Sequence, residues 1–83
     1  MTDQELRQEE LVANIPALRA FARSLAHDAS HADDLVQETV LKGWSNLHSY
    51  TAGTNMRAWL FTILRNTFYS EFRKFRRLSL IHI

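Results

Sequence analysis

The chain contains no cysteine, one proline and two glycines in 83 residues. Without cysteine there is no disulfide scaffold and no thiol catalysis. So few prolines and glycines leave few chain breaks, which favours long helices. No apolar run approaches the length that spans a membrane, and the acidic start lacks the layout of a signal peptide. These absences lead to the expectation of a soluble, cytoplasmic domain with no membrane partner. Also missing are a glycine-rich phosphate loop, a nucleophile–base arrangement and a carboxylate pair in a pocket-forming context. Neither an enzyme nor a cofactor is expected.

What is present suits one small packed domain. Hydrophobic residues make up 46% of the chain, ample for a core at this length, which lies near the lower end of what buries one. The net charge of +1 hides two opposed halves. Residues 1–40 carry three arginines against eight acids, and residues 41–83 carry seven lysines and arginines against one acid. Such a chain can serve two partners, one basic and one acidic, or simply present a bipolar surface.

Hydrophobic periodicity predicts an all-α fold, a compact bundle of three main helices with the first interrupted near Pro16. Thr2–Glu5 has capping-box spacing and opens a short helix. Pro16 disfavours helical geometry at Ile15, so a break belongs near Asn14–Pro16. The stripe Leu11, Ile15, Leu18, Ala22, Leu25 carries the helix on to about His27. A second capping box, Ser30–Asp33, starts a helix expected to reach about His48. Ser49–Asn55 reads as a loop, with Thr54 or Asn55 capping a third helix that runs from Met56 to about Arg77. The last residues, 78–83, are apolar and uncharged. They read as the start of a linker or as a non-native addition.

In the second helix, "DDLVQET" (33–39) could be a solvated face, a metal site or a receptor for a basic partner. Leu35, Val36, Thr39, Gly43 and Leu47 share the core side. Asp34, Gln37, Glu38, Leu41, Ser45 and His48 share the opposite side. Leu41 there is a large aliphatic rimmed by acids and an amide, the general layout of a binding patch. Singly exposed leucines are common, however, and Asp33 and Asp34 in a first turn are favoured by the helix dipole alone. His27 and His31 have metal-ligand spacing, but they straddle the expected boundary at Ser30 and lack a fixed third ligand, so no metal is expected.

The third helix sets Met56, Leu60, Ile63, Leu64 and Thr67 toward the core. Its other side collects Phe61, Arg65, Tyr69, Phe72, Arg73 and Arg76, with Trp59 at the border. Arginine interleaved with aromatics suits an unpaired nucleic-acid strand, because cations neutralise phosphates and rings stack on bases. The competing arrangement has the aromatics packed inward. It is the one expected for Phe68, Phe72 and Phe75.

The order "ADDLVQET", "KGWSNL", a short polar loop and "NMRAWLFTILRN" with a basic end resembles the core domain, region 2, of extracytoplasmic-function (ECF) sigma factors. "IPALRAFARSLAHD" and "GTNMRAWLFTILRNTFYSEFRK" are similar to the general-stress-response group of alphaproteobacteria. The resemblance covers about residues 8–77, and with them a region 2 domain of residues 1–77. It implies that Asp33, Asp34, Gln37, Glu38 and Leu41 bind the β′ clamp helices of RNA polymerase core. It implies a loop, Ser49, Tyr50, Thr51, Thr54 and Asn55, that captures a flipped base of the non-template strand at the −10 promoter element. Arg57, Trp59, Arg65, Asn66 and Tyr69 then line the strand path, and Arg73, Lys74, Arg76 and Arg77 hold phosphates. It also implies an anti-sigma factor as partner, and a second helical domain that nothing in these residues matches. Two other functions compete. A sigma-like interaction module would sequester an anti-sigma factor without polymerase or DNA activity. A generic basic helical DNA binder would explain residues 57–77 but not the acidic face.

Overall fold

The computed structural model describes residues 1–51 and 54–81, with side chains at 72 and from 74 onward outside the described residues. Thr2 caps α1 (Asp3–Ala13), its hydroxyl oxygen accepting from the Glu5 amide. Asn14 then serves two helices. Its amide N–H closes the end of α1 on Leu11, and its carbonyl accepts from Leu18 in the first turn of α2 (Ile15–Leu25). Pro16 stands in that first turn, where its missing N–H costs no helical bond. The interruption expected near Pro16 is thus a junction of a single residue between two helices.

The next helix starts earlier than its capping box suggested. Asp28, not Ser30, caps α3 (Ala29–Ser45), and its carboxylate accepts from the His31 amide at 2.7 Å. A carboxylate on a backbone N–H is the stronger, charge-assisted acceptor, so the upstream acid takes the cap. The helix also ends earlier than His48. Asn46 folds its side-chain amide back onto the Lys42 carbonyl, and a single 3-10 turn, Leu47–Ser49, follows. Asn55 opens α4 (Met56–Ile81), its side-chain oxygen accepting from the Ala58 amide. This helix runs past Arg77 because no glycine or proline interrupts the sequence there. The described residues contain no strand.

α3 lies at the centre, packed against both α2 and α4. The core is Leu11, Leu18, Ala22, Ala32, Leu35, Val36, Leu47, Tyr50, Met56, Leu60 and Leu64, with Ile15, Leu25 and Ile63 partly buried at its margin. Every residue expected on the core side of the second helix is buried, Leu47 from the 3-10 turn rather than from α3 itself. Gly43 is the point of closest approach. A Cβ there would stand 2.8 Å from Leu60 Cδ2 and 3.3 Å from Leu11 Cδ1. A glycine inside a helix costs roughly 1 kcal/mol relative to alanine. Here that cost lets α1 and α4 close on the same point of α3.

Candidate functional site

Two surfaces of different chemistry flank the core. The first is the outer side of α3. Asp33, Asp34 and Gln37 are exposed, and Glu38 is half-exposed and 3.5 Å from Lys42 one turn later. Leu41 is 68% exposed, a large apolar group held in water by its position on the helix. Trp44, three residues on, is 46% exposed. It escaped the sequence reading, although the spacing of 41 and 44 sets both on adjoining positions of one helix side. Tryptophan is the residue type most enriched among interface hot spots, so its exposure matters. Beside these residues, Arg19 and Arg23 of α2 line a cleft with Asp33, Val36 and Gln37. The surface is therefore mixed in charge at its α2 edge, which the division into an acidic and a basic half did not suggest.

The second surface joins the loop after the 3-10 turn to α4. Tyr50 lies beneath the loop rather than on it. It is only 4% exposed, its hydroxyl donates to the Thr54 carbonyl at 2.7 Å, and its ring centroid is 5.3 Å from that of Trp59. The Thr54 hydroxyl donates to the Thr51 carbonyl at 2.6 Å, which tightens the turn. Ser49, Thr51, Thr54 and Asn55 are exposed, though Asn55 is engaged as the α4 cap. Loop positions 52 and 53 lie outside the described residues.

On α4, Arg65, Asn66, Tyr69 and Arg73 are exposed, and Tyr69 at 49% is the most open of the rings described on α4. Trp59 is half-buried and turned toward the loop. Arg57 is exposed but not free, since its Nε donates to Asn14 Oδ1 at 3.2 Å and ties α4 to the α1–α2 junction. Lys74, Arg76 and Arg77 were expected to hold phosphate, and Phe72 and Phe75 to pack inward. All five side chains lie outside the described residues. Phe61 is a correction. It was expected on the solvated side, yet it stacks on Phe21 of α2 with centroids 4.6 Å apart. The inward arc of α4 faces α2 as well as α3, and is wider than one stripe. Phe68 packs against the core as expected.

The histidines take separate positions. His27 is exposed, while His31 Nε2 meets Glu71 Oε2 at 3.0 Å, a cross-link between α3 and α4. No cluster of three or more metal-ligating side chains occurs among the described residues.

Known proteins resemble this chain in sequence and fold. The sigma-70 region 2 family matches residues 11–78. Over 70 residues the chain is 54% identical to the ECF RNA polymerase sigma factor EcfG of Rhodopseudomonas palustris, covering 84% of this chain and 39% of the relative. Over 59 residues it is 42% identical to the ECF RNA polymerase sigma factor SigL of Mycobacterium tuberculosis, covering 68% and 32%. The solved sigma factor RpoE of Bartonella quintana, in complex with the anti-sigma factor NepR, superposes with a TM-score of 0.78 at 54% identity, covering 83% of this chain and 43% of that one. The chain thus spans less than half the length of these relatives.

Proposed function

This chain belongs to the sigma-70 region 2 family, and from it we propose the part of a sigma factor that joins RNA polymerase core to the −10 element of a promoter. Asp33, Asp34, Gln37, Glu38 and Leu41, with Trp44 added, receive the β′ clamp helices. The loop from Ser49 to Asn55 and the exposed side of α4 take the non-template strand and keep the duplex open. The chain acts by binding and not by catalysis, in the cytoplasm, where the polymerase works. Residues 1–77 form the functional unit.

The observation that carries this reading is the pairing of two unlike surfaces on one small core. An apolar centre rimmed by acids and an amide, Leu41 and Trp44 on the helix side that carries Asp34, Gln37 and Glu38, suits a basic protein partner. Exposed arginines interleaved with a tyrosine, Arg65, Tyr69 and Arg73, suit a single strand. A generic DNA binder needs only the second. An anti-sigma factor is proposed as the controlling partner, in line with the NepR-bound relative from Bartonella quintana.

The test is capture of the 83-residue chain by RNA polymerase core and, separately, by an anti-sigma factor of the NepR type. Capture by both is expected. Capture by the anti-sigma factor alone would overturn the polymerase role in favour of a sigma-like mimic.

A further inference from the structure

Among the described residues, two hydrogen bonds between side chains join α3 to α4. Lys42 meets Thr67 near the end of α3, and His31 meets Glu71 from its first turn. The second is, among the described residues, the side-chain link nearest the C-terminal end of α4. His31 is well fixed for it. Its backbone N–H donates to the Asp28 carboxylate at 2.7 Å, which engages that acid in the helix cap. Its Nε2 stands 3.0 Å from Glu71 Oε2, and its ring centroid 6.2 Å from that of Phe68, one turn earlier on α4. An ionised carboxylate only accepts, so the imidazole is the donor in this contact. Two residues along a helix turn it by about 200°. Tyr69 and Arg73, two residues to either side of Glu71, therefore share the side opposite to it. Both are exposed, while Glu71 is half-buried. Phe68 connects the two sides, since its ring centroid is also 5.7 Å from that of Tyr69.

We propose that His31 and Glu71 are positioning residues, a clasp that anchors the later part of α4 to the first turn of α3 and sets the direction in which Tyr69 and Arg73 face. The proposal rests on the strand-binding role given above to α4, and adds to it a pair that touches no strand. Glu71 is the single acid in residues 41–83. Beside phosphates its charge alone is unfavourable. The clasp accounts for its place, because it holds the helix by the inner side and offers the outer side to the strand. Without it, Phe68 loses the ring beside it, and the segment from Phe68 to Arg73 opens more often. A strand then has to order that segment on binding, which lowers affinity. The two side chains are 40% and 39% exposed, so the clasp contributes a modest factor rather than a large one.

Two measurements on the whole chain test this, hydrogen–deuterium exchange along α4 and fluorescence anisotropy with a single-stranded −10 oligonucleotide. In His31→Ala and in Glu71→Ala, the amides from Phe68 to Arg73 should exchange roughly two- to fivefold faster, the range of a partly exposed ion pair, and in the double variant no faster than in either. His31→Gln keeps a donor where Nε2 stood and should exchange like the parent. Strand affinity should fall by a similar factor in His31→Ala and return in His31→Gln. Loss of the Glu71 charge by itself favours phosphate binding. Glu71→Ala should therefore tighten binding in the His31→Ala background, and tighten it less, or weaken it, in the parent. Circular dichroism checks that each variant is helical. Exchange effects that are absent, or that add in the double variant, overturn the clasp. A Glu71→Ala effect on affinity of equal size in both backgrounds overturns the positioning role even where the clasp exists. If the parent chain binds no single strand, the strand-binding role fails and the positioning role with it, while exchange still decides whether the clasp forms.

Discussion

Thr39 is a buried residue without a clear benefit to the core. It is fully buried on α3, and its hydroxyl has no hydrogen-bond partner among the described residues. A buried hydroxyl left unpaired costs about 1–3 kcal/mol. Thr39→Val keeps the shape and removes that group, so it should raise thermal stability by roughly 1 kcal/mol. A melting temperature at or below that of the parent would mean that the hydroxyl has a partner, such as a bound water. Thr67 is the contrasting case, because its buried hydroxyl accepts from Lys42 and so joins α4 to α3. Tyr50 shows a related divergence of role. The family resemblance implied a base contact, and the structure shows its ring packed and its hydroxyl holding Thr54, so it shapes the loop from below.

Among the helices, α3 shows most clearly how one element serves two purposes. Its inner side supplies the central layer of the core, and its outer side keeps Leu41 and Trp44 in water. Neither residue belongs to the buried core, Leu41 being mostly and Trp44 about half exposed, so their replacement touches binding more than stability. Leu41→Ala and Trp44→Ala should each weaken binding to polymerase core by about 1 kcal/mol or more, as for anchor residues at an interface centre. Asp34→Arg should weaken it further, since a like charge opposite a basic partner is repulsive. All three should melt within about 0.5 kcal/mol of the parent. Unchanged core binding in the two apolar variants would remove Leu41 and Trp44 from the interface and return them to ordinary exposed side chains.

On the scale of the molecule, the arrangement predicts a preference of strand form. A closed duplex hides its base faces, whereas the Ser49–Asn55 loop and Tyr69 are suited to rings and to unpaired backbone. The chain should bind a single-stranded −10 segment more tightly than the matching duplex, weakly, and with affinity falling steeply as salt rises. Tyr69→Ala should lose roughly 1–3 kcal/mol on the single strand if its ring stacks on a base. Equal affinity for both forms at every salt concentration would leave α4 as a basic helix with no role in strand separation.

The all-α class, the break near Pro16, the inner side of α3 and a cap at Thr54 or Asn55 were all legible from periodicity and capping chemistry. These are local properties. Repeats of 3.6 residues, a missing N–H and a short polar side chain act within a few positions of themselves. The resemblance that located both candidate surfaces was legible for the same reason, as short motifs in a fixed order. The start of α3 was not, because Asp28 and Ser30 are both good caps and their difference lies in which acceptor wins. Phe61 was misplaced, and the burial of Tyr50 not foreseen, because a single-helix wheel cannot say how many neighbours a helix has, or what lies under a loop. A cleft between α3 and α4, lined by Lys42, Ser49 and Asn66, had no sequence signal at all. Its walls come from separate elements, and only the close packing of α4 on α3, permitted by the bare Cα of Gly43, brings them together.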